Sequence, residues 1–244
     1  MDNALYVGLS RQMTLRRALE IAGNNIANLD TAGFKVEQPL VNTNPATPAV
    51  AGADPINFVL DKGVARDFGQ GGLEETGNPL DVAIEGDGFF TIKTANGDRY
   101  TRDGRFTTNA QNQIVTKDGQ AVLDASGREI TLNPTGPAPT IARDGTISQG
   151  AAQLGKLGVA RFTDLSVLSK EGDNLFSAPA GTTPVAAPDA LRRQGMLERS
   201  NTQPILEITR LIEITRTYER VAQMMDQAQE LQRNSIDRLG RSAA

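Results

Sequence analysis

Residues 24–35 read NNIANLDTAGFK, a stretch in which three asparagines, an aspartate and a glycine are crowded against apolar side chains. Asparagine and glycine are poor helix formers, and an asparagine side chain competes with the helix for backbone hydrogen bonds. The stretch nevertheless follows a run that has a strongly helical pattern. We therefore expect the helix to end here, in a defined turn whose polar groups satisfy the last helical carbonyls.

The run before this turn carries one apolar stripe with the three- and four-residue spacing of a coiled coil. Its members are Leu5, Gly8, Gln12, Leu15, Leu19, Ala22, Ile26 and Leu29. A second helical pattern begins after Pro204, and Gly240 is expected to end it. Its inner stripe is formed by Leu211, Ile214, Tyr218, Val221, Met225 and Ala228, and its apolar face is widened by Ile208, Ile212, Ala222, Leu231, Ile236 and Leu239.

Between the two helices the sequence changes character twice. Residues 36–79 are rich in Pro, Gly, Ala, Asn and Thr, which predicts extended or loop segments with one short strand at INFVLD, residues 56–61. From residue 80 onwards short apolar runs alternate with glycine turns, and the Asn-Gly pair at 96–97 is typical of a hairpin. Asp-Gly at 103–104 and 118–119 and Ser-Gly at 126–127 extend this pattern, which predicts a β meander or barrel-like domain.

These patterns predict an α+β fold in which the N- and C-terminal helices pair as a coiled-coil-like core around an inserted, mainly-β central domain. The expected segments are the N-terminal helix with its Asn-rich turn (1–35), an extended or loop segment (36–79), the central β domain with a trailing linker (80–190), and a C-terminal linker and helix (191–244). The side chains expected to pack the helix pair are Leu15, Leu19, Ile26, Leu211, Ile214, Tyr218, Val221 and Met225. Two helices alone leave apolar side chains in water, so either an ordinary α+β core or neighbouring copies must cover them. Periodicity by itself favours the ordinary core.

The composition excludes several kinds of chemistry. The chain has no histidine and no cysteine, which removes cysteine nucleophiles, the Ser-His-Asp triad, histidine general bases and nearly all zinc sites. A net charge of −4 and an aromatic content of 5% without tryptophan argue against nucleic-acid binding. No apolar run approaches the roughly 20 residues that span a bilayer, and the first residues lack the pattern of a cleaved signal peptide, so we expect no membrane insertion.

The remaining candidate sites are weak. Residues 150–157, GAAQLGKL, nearly match a phosphate-binding loop, but Leu157 replaces the required hydroxyl residue and no helical pattern follows. Asp81, Glu85 and Asp87 could serve as glycosidase carboxylates, yet acidic residues beside glycines are more often turn residues. We therefore predict no catalytic residue, no cofactor, no metal and no enzymatic activity. A carbohydrate-binding β module or a carboxylate-based glycosidase is kept as a remote alternative.

The segment GNNIANLDTAGFK, residues 23–35, closely resembles the N-terminal motif of the bacterial flagellar axial proteins, the rod and hook family, which runs approximately A-N-N-x-A-N-x-x-T-x-G-F-K. The matching residues are Asn24, Asn25, Ala27, Asn28, Thr31, Gly33, Phe34 and Lys35, whereas Gly23 replaces the usual Ala or Ser. The central segment that begins GDGFFTIKTANGDRY and the C-terminal segment from LERSN onwards resemble that family's β domain and terminal helix. The length resembles that of rod rather than hook subunits. The start, MDNALYVGLSRQ, resembles the proximal rod type most, and the distal rod type is the alternative.

This resemblance implies a structural subunit that polymerises with copies of itself and with other rod proteins into a hollow helical shaft, which crosses the periplasm and transmits torque. It also implies synthesis in the cytoplasm and export by the flagellar type III apparatus without a cleaved signal peptide. The residues expected to act as an assembly signature are Asn24, Asn25, Asn28, Thr31, Gly33, Phe34 and Lys35. They would fix the turn and hydrogen bond to neighbouring subunits through their amides. A helix cap that makes contacts only within the chain is the alternative.

Overall fold

A computed structural model describes residues 2–46, 56–187 and 189–242 of the chain. The predicted α+β class is confirmed, since two long helices accompany a mainly-β central region. The chain divides into two compact units. The first comprises Met1–Ala27, Glu37–Asp67 and Gln203–Ala244, and the second comprises Asn28–Val36 and Phe68–Thr202. Each unit is therefore built from segments that are far apart in sequence.

The first unit contains helix α1 (Asp2–Ala27), strands β1 (Glu37–Ala46) and β2 (Ile56–Arg66), and helix α2 (Pro204–Ser242). Helix α1 contacts α2 and both strands, so it buries more than one of its faces. Near one end of α1, Gly8 lies against the side chain of Met225. Near the other end, a hydrogen bond joins α1 to the first turn of α2. The two helices therefore run antiparallel.

Helix α2 begins at Pro204, whose fixed φ and missing N–H suit the first position of a helix. The acidic Glu207 lies in the first turn, where it complements the positive end of the helix dipole. The expectation that Gly240 ends this helix is wrong, because the helix continues to Ser242. A glycine inside a helix costs only about 1 kcal/mol relative to alanine, which does not by itself stop a long helix.

Strands β1 and β2 form an antiparallel hairpin whose register runs from Glu37 opposite Arg66 to Ala46 opposite Ile56, with a bulge between Leu40 and Val41. The predicted strand at residues 56–61 is confirmed, because it lies within β2, whereas the rest of the region was predicted only as extended or loop segments. Its composition gave this region little intrinsic preference for strands. A two-stranded hairpin is only marginally stable alone, and here both strands contact α1. That tertiary contact was not visible in the local sequence.

The second unit is built from short strands. Their bounds are β3 (Leu73–Glu75), β4 (Val82–Glu85), β5 (Phe89–Thr94), β6 (Gly97–Thr101), β7 (Phe106–Thr108), β8 (Ile114–Thr116), β9 (Ala121–Val122), β10 (Thr140–Ile141), β11 (Thr146–Gln149), β12 (Ala152–Lys156), β13 (Val159–Arg161), β14 (Ser169–Glu171), β15 (Leu175–Ser177), β16 (Val185–Ala186), β17 (Leu191–Gln194) and β18 (Met196–Glu198). A short 3-10 helix spans Leu165–Val167.

The largest sheet has the strand order β14-β15-β6-β5-β9-β8-β7, and β13 pairs with both β5 and β16. Smaller sheets pair β10-β11-β12, β17-β4 and β18-β3. The predicted hairpin between β5 and β6 is confirmed, with Ala95 and Asn96 at its tip and Gly97 at a φ of 96°. Asp118 and Gly119 form the turn between β8 and β9, where Gly119 has a φ of 83°.

Strand β5 separates two apolar clusters because successive side chains of a strand point to opposite faces. Phe90 and Ile92 belong to the larger cluster, together with Val82, Ile147 and Leu157. The adjacent Phe89 belongs to the second cluster, with Tyr100, Phe162, Leu168 and Phe176 as its other large members. These two clusters form the apolar core of the second unit.

Candidate functional site

The chain turns twice after helix α1 ends at Ala27. The N–H of Thr31 donates to the carbonyl of Asn28 at 3.3 Å, and the N–H of Phe34 donates to the carbonyl of Thr31 at 3.2 Å. The Thr31 hydroxyl also donates to the Asn28 side-chain oxygen at 3.0 Å. The predicted helix end and the defined turn that follows it are thus confirmed.

Gly33 occupies a position in this turn that no other residue fits. Its φ of 68° lies in the left-handed region, and its N–H donates to the carbonyl of Glu198 at 2.7 Å. A Cβ at this position would lie 2.4 Å from the carbonyl carbon of Arg102, far inside van der Waals contact. The glycine of the motif is therefore required both by its backbone conformation and by the close approach of a second chain segment.

Lys35, the last residue of the motif, forms a buried ionic cluster within the second unit. Its ammonium group lies 2.6 Å from one oxygen of Glu198, and Arg102 donates to the other oxygen at 3.1 Å. The N–H of Gly71 also donates to Glu198 at 2.9 Å, and Lys35 donates to the carbonyl of Gly69 at 2.8 Å. The cluster holds two cations and one anion, and the main-chain groups of Gly69 and Gly71 add further hydrogen bonds.

The guanidinium of Arg102 connects this cluster to the β sheet. Its Nη2 donates to the carbonyl of Gly86 at 2.8 Å, and its central carbon lies 5.4 Å from the ring centroid of Phe89. Its Nε is buried and has no hydrogen-bond acceptor among the described residues. Arg102 thus holds the Glu198 carboxylate at a fixed position relative to β5.

Phe34 and the main chain beside it are held by Lys170 and Asn201. The Phe34 ring is buried, and the ammonium group of Lys170 lies 4.5 Å from its centroid, which is a cation–π distance. The Asn201 side chain accepts from the N–H of Val36 at 2.8 Å and donates to the carbonyl of Gly69 at 3.0 Å. The exit from the turn is therefore fixed by Lys170 on β14 and by Asn201, which lies just before helix α2 in sequence.

Asn25 makes three hydrogen bonds inside the first unit. Its side-chain oxygen accepts from the N–H of Glu37 at 3.0 Å, and its amide nitrogen donates to the carbonyl of Glu37 at 2.8 Å. The same nitrogen donates to the carboxylate of Glu207 at 3.0 Å. Asn25 is completely buried, so this amide joins α1, β1 and α2 and is not exposed to a neighbouring molecule.

The two carboxylates around Asn25 have cationic partners of their own. Arg66 on β2 lies 3.0 Å from Glu37, and Arg210 lies 2.9 Å from Glu207 one turn along α2. Both glutamates are buried, with exposed fractions of 8% and 4%. Each glutamate therefore has a cationic partner at the point where the helices and the hairpin meet.

The structure places the motif residues in both units, since Asn24 and Asn25 belong to the first and the residues from Asn28 onwards to the second. Asn25, Gly33, Phe34 and Lys35 are buried, whereas Asn24, Asn28 and Thr31 are half-buried. The sequence analysis did not identify their partners Glu37, Arg102, Glu198, Asn201 and Glu207. The only available signal was the segment LERSN, which contains Glu198 and Asn201 but does not indicate what they contact.

The residues predicted to pack the helix pair are covered to different degrees. Leu15 is buried, and the half-buried members are Leu19, Ile26, Leu211, Ile214, Tyr218, Val221 and Met225. Ile21, which lies outside the predicted stripe, is buried at 5% exposure. The stripe therefore describes one face of α1 and misses a second buried face, on a helix that also contacts the β1–β2 hairpin.

Apolar side chains also lie on the outer surface of both helices. On α1 these are Tyr6, Leu9 and Met13, with exposed fractions of 63%, 48% and 66%, at a spacing that places them on one face. On α2 the spacing repeats at Ile205, Ile208 and Ile212, with exposed fractions of 79%, 47% and 45%. We call these sets the α1 outer face and the α2 outer face.

The acidic and phosphate-loop candidates have structural roles. The Asp81 carboxylate accepts from the side chains of Thr76 at 2.7 Å and Asn78 at 3.0 Å. A hydrogen bond from Arg193 lowers the pKa of Glu85. Residues 150–157 contain the turn after β11 and the whole of β12, so the helix that a phosphate loop requires is absent there.

Three family models match the chain in the order expected for a flagellar axial protein. The model for the flagella basal body rod protein matches residues 5–35, the hook protein FlgE/F/G D1 domain matches residues 83–149, and the basal body rod FlgEFG C-terminal model matches residues 193–238. Together they contain most of α1, much of the β unit and most of α2. The chain belongs to the flagellar basal-body rod protein family.

Full-length relatives refine this assignment to the FlgF type. The chain is 54% identical to the flagellar basal-body rod protein FlgF of Caulobacter vibrioides, over 99% of both chains. It is 34% identical to FlgF of Mesorhizobium japonicum over 98% of this chain and 99% of that protein. A FlgG protein of Agrobacterium fabrum is 36% identical over 92% of this chain and 93% of its own length. The protein is thus a FlgF-like structural subunit of the basal-body rod, and it is not an enzyme.

Membership of this family implies assembly with other components of the rod and a location in the flagellar basal body. Within the described ranges, neither helix is long and apolar enough to cross a membrane.

Proposed function

We propose that the chain is a proximal-rod subunit that polymerises with copies of itself and with other rod proteins into a hollow helical shaft, which crosses the periplasm and transmits torque to the hook. The 54% identity to a FlgF protein, against 36% to a FlgG protein, supports the proximal over the distal position. The observation that carries the proposal is the α1 outer face, Tyr6, Leu9 and Met13, which is apolar and exposed. A contiguous exposed apolar face of this kind is typical of a surface that a partner covers.

We further propose that α1 and α2 pair in the manner of an antiparallel coiled coil. The three- and four-residue spacing of their inner stripes supports this packing, as do the contacts of Gly8 with Met225 and of Asn25 with Glu207 at opposite ends. Most of the inner α2 stripe is only half-buried in the subunit. Helices of neighbouring subunits would complete the burial of this stripe and cover both outer faces.

The assembly signature is proposed to act mainly by fixing the path of the chain after α1. Buried hydrogen bonds and ion pairs of Asn25, Gly33 and Lys35 support this role. A rigid exit places the half-buried Asn24, Asn28 and Thr31 at a defined position for contact with a neighbouring subunit. In this scheme the segments 1–35 and 191–244 take part in assembly, 36–79 is the extended segment whose strands β1 and β2 contact α1, and 80–190 is the central β domain with its trailing linker.

Export is proposed to follow the route that the family resemblance implies. The subunit would be made in the cytoplasm and passed through the flagellar type III apparatus without removal of a signal peptide. A chain without disulfides suits passage in a partly unfolded state, because no covalent link has to be broken first.

The experiment is complementation of a strain that lacks the native gene. The double variant Leu9→Asp/Met13→Asp changes side chains that are already exposed, so it should fold and be exported but should not enter rods. Arg16→Asp is the matched control, because it adds an acidic residue to the same helix at a position that is 78% exposed. Leu15→Asp, at a buried position, should disrupt the subunit itself. Asp118→Lys, in an exposed β turn, should have much less effect.

Swimming and the amount of subunit in purified basal bodies are the two measurements. Normal rods from the Leu9→Asp/Met13→Asp variant would exclude the α1 outer face as an assembly surface. Loss of rods with the Arg16→Asp control as well would show that added acidity, rather than loss of the apolar face, is the cause.

A further inference from the structure

The α1 outer face and the α2 outer face have the same pattern. Each consists of three exposed apolar side chains, separated first by three and then by four residues. At 1.5 Å per residue, each face extends about 10 Å along its helix. Side chains at this spacing lie in one row, and two such rows can interdigitate as they do in a coiled coil. The two faces therefore match each other in length and in spacing.

The two faces lie at opposite ends of the first unit. The α1 outer face surrounds Gly8, which lies against Met225 in the second half of α2. The α2 outer face surrounds Glu207, which accepts a hydrogen bond from Asn25 in the last turn of α1. Because Asn25 lies seventeen positions after Gly8, the two faces are separated by about 25 Å along the helix pair. Neither face can therefore cover the other within one subunit.

Exposed charged side chains continue each face along its helix. On α1 they are two cations and one anion, namely Arg16, Arg17 and Glu20. On α2 they are one cation and three anions, namely Arg216, Glu219, Asp226 and Glu230. If two α1 helices or two α2 helices met in parallel, each charged run would lie beside a run of its own sign. This repulsion is small for exposed groups, but it opposes contact between like faces.

We infer that the α1 outer face of one copy binds the α2 outer face of the next copy of this chain, an inference that rests on the proposed rod function. A contact in which both copies use the same face has two-fold symmetry and closes at a pair. A contact between two different faces leaves one unused face at each end of the pair, so it can be repeated along a shaft. Between copies of the same orientation this contact is antiparallel, because α1 and α2 run antiparallel within each subunit.

This contact also fixes the displacement between neighbouring copies. In the antiparallel contact Leu9 of one copy lies opposite Ile208 of the next, and Met13 lies opposite Ile205. Within a single copy, Leu9 and Ile208 are separated by nearly the whole distance between Gly8 and Asn25 along the helices. Copies that touch in this way are therefore displaced by about 20–25 Å along the helix axis.

The chain has no cysteine, so introduced cysteines report the contact without background. The double variant Leu9→Cys/Ile208→Cys is expressed in a strain that lacks the native gene, the cells are oxidised, and the subunits of purified basal bodies are separated on a non-reducing gel. A disulfide requires Cβ atoms within about 4.5 Å, so we expect a ladder of dimers, trimers and larger products that a reductant removes. Arg16→Cys/Ile208→Cys is the matched control. Arg16 is exposed on the same helix about 10 Å beyond Leu9, and it should give no ladder.

The pattern of crosslinks separates this contact from the other possible ones. Dimers from Leu9→Cys alone or from Ile208→Cys alone would show that like faces meet. Products of the double variant that stop at dimers would show a closed pair. Basal bodies that contain the double variant without crosslinks would show that another rod protein covers the faces. Each of these results overturns the inference but leaves the proposed function standing, whereas absence of the parent protein from basal bodies would overturn both.

Charge rescue tests the same contact without cysteines. Leu9→Glu and Ile208→Lys should each block entry of the subunit into rods, because each places a charge in an apolar contact. The combination Leu9→Glu/Ile208→Lys places opposite charges across the contact and should restore swimming, whereas Leu9→Glu/Ile208→Glu should not. A combination that swims no better than Leu9→Glu alone would overturn the inference.

Discussion

The ammonium group of Lys35 lies 2.6 Å from a carboxylate oxygen of Glu198, and neither side chain is exposed to solvent. The two residues are 163 positions apart in sequence. Because Arg102 binds the other oxygen, one buried carboxylate pairs with two buried cations. Burying charges costs several kcal/mol per ion, and their attraction offsets this only when the geometry is good and the remaining hydrogen bonds are made. The end of the N-terminal motif is therefore held by the segment that precedes α2.

This arrangement predicts unequal effects for substitutions of its members. Glu198→Gln leaves two buried cations without an anion and should destabilise the second unit by about 3–5 kcal/mol. Lys35→Met leaves the neutral pair of Glu198 and Arg102 and should cost only about 1–3 kcal/mol. Urea denaturation of the two variants measures the difference. A Lys35→Met variant that is less stable than Glu198→Gln would show that the charge balance does not control stability here.

Replacing the buried amide of Asn25 by a carboxylate of nearly the same shape should strongly lower the stability of the first unit. In Asn25→Asp the new carboxylate cannot donate to Glu37 or Glu207, and it repels the Glu207 carboxylate. The first unit should lose about 2–4 kcal/mol, seen as a lower melting temperature in far-UV circular dichroism. Asn42→Asp on β1 is the control because Asn42 is exposed, and its effect should be within about 0.5 kcal/mol. Similar losses in both variants would contradict a special role for Asn25.

Replacing Gly33 should destabilise the protein through a steric clash, and replacing Gly119 is the control. In Gly33→Ala the residue must adopt a left-handed φ and its Cβ would collide with the main chain of Arg102. We expect a loss of about 3 kcal/mol or more. Gly119 has a similar φ of 83° and no atom near its missing Cβ, so Gly119→Ala should cost only about 1–2 kcal/mol. Equilibrium unfolding gives both values, and equal losses would mean that the turn around Gly33 can relax.

Asp124 predicts a specific loss of stability in acid. Burial by itself raises the pKa of Asp124, but hydrogen bonds from the N–H groups of Arg128 and Ser126 outweigh it and lower the pKa overall. A carboxyl whose pKa is lower in the folded state stabilises the protein above its unfolded pKa of about 3.9, and this contribution is lost as the pH falls through the folded pKa. Asp124→Asn should therefore be less stable than the parent at neutral pH, and the difference should shrink as the pH falls below about 4. The midpoints of urea denaturation of the two proteins, measured across this pH range, test this prediction. A stability difference that does not change with pH would show that ionisation of Asp124 is not its cause.

Local patterns predicted the elements whose stability is encoded locally. The spacing of Leu15 and Leu19 indicated α1, Pro204 marked the start of α2, and the Asn-Gly pair at 96–97 located a hairpin, because these signals depend on neighbours within a few residues. Strand β1 was missed because its sequence contains two prolines and several polar residues that disfavour strands, and it is stabilised by contacts with β2 and α1. Ile21 was missed because a second buried face of a helix gives no separate signal in the sequence.

The sequence by itself determined the chemistry that is possible and the family to which the chain belongs. The absence of histidine and cysteine and the motif in residues 23–35 are properties of composition and spacing, and no folding is needed to recognise them. Only the tertiary structure decided what the motif residues do. Asn25 meets Glu207, 182 positions away, and Lys35 meets Glu198, 163 positions away. Contacts over such separations depend on the path of the whole chain, because a hydrogen bond requires two groups to lie within about 3 Å in space, whatever their separation in sequence.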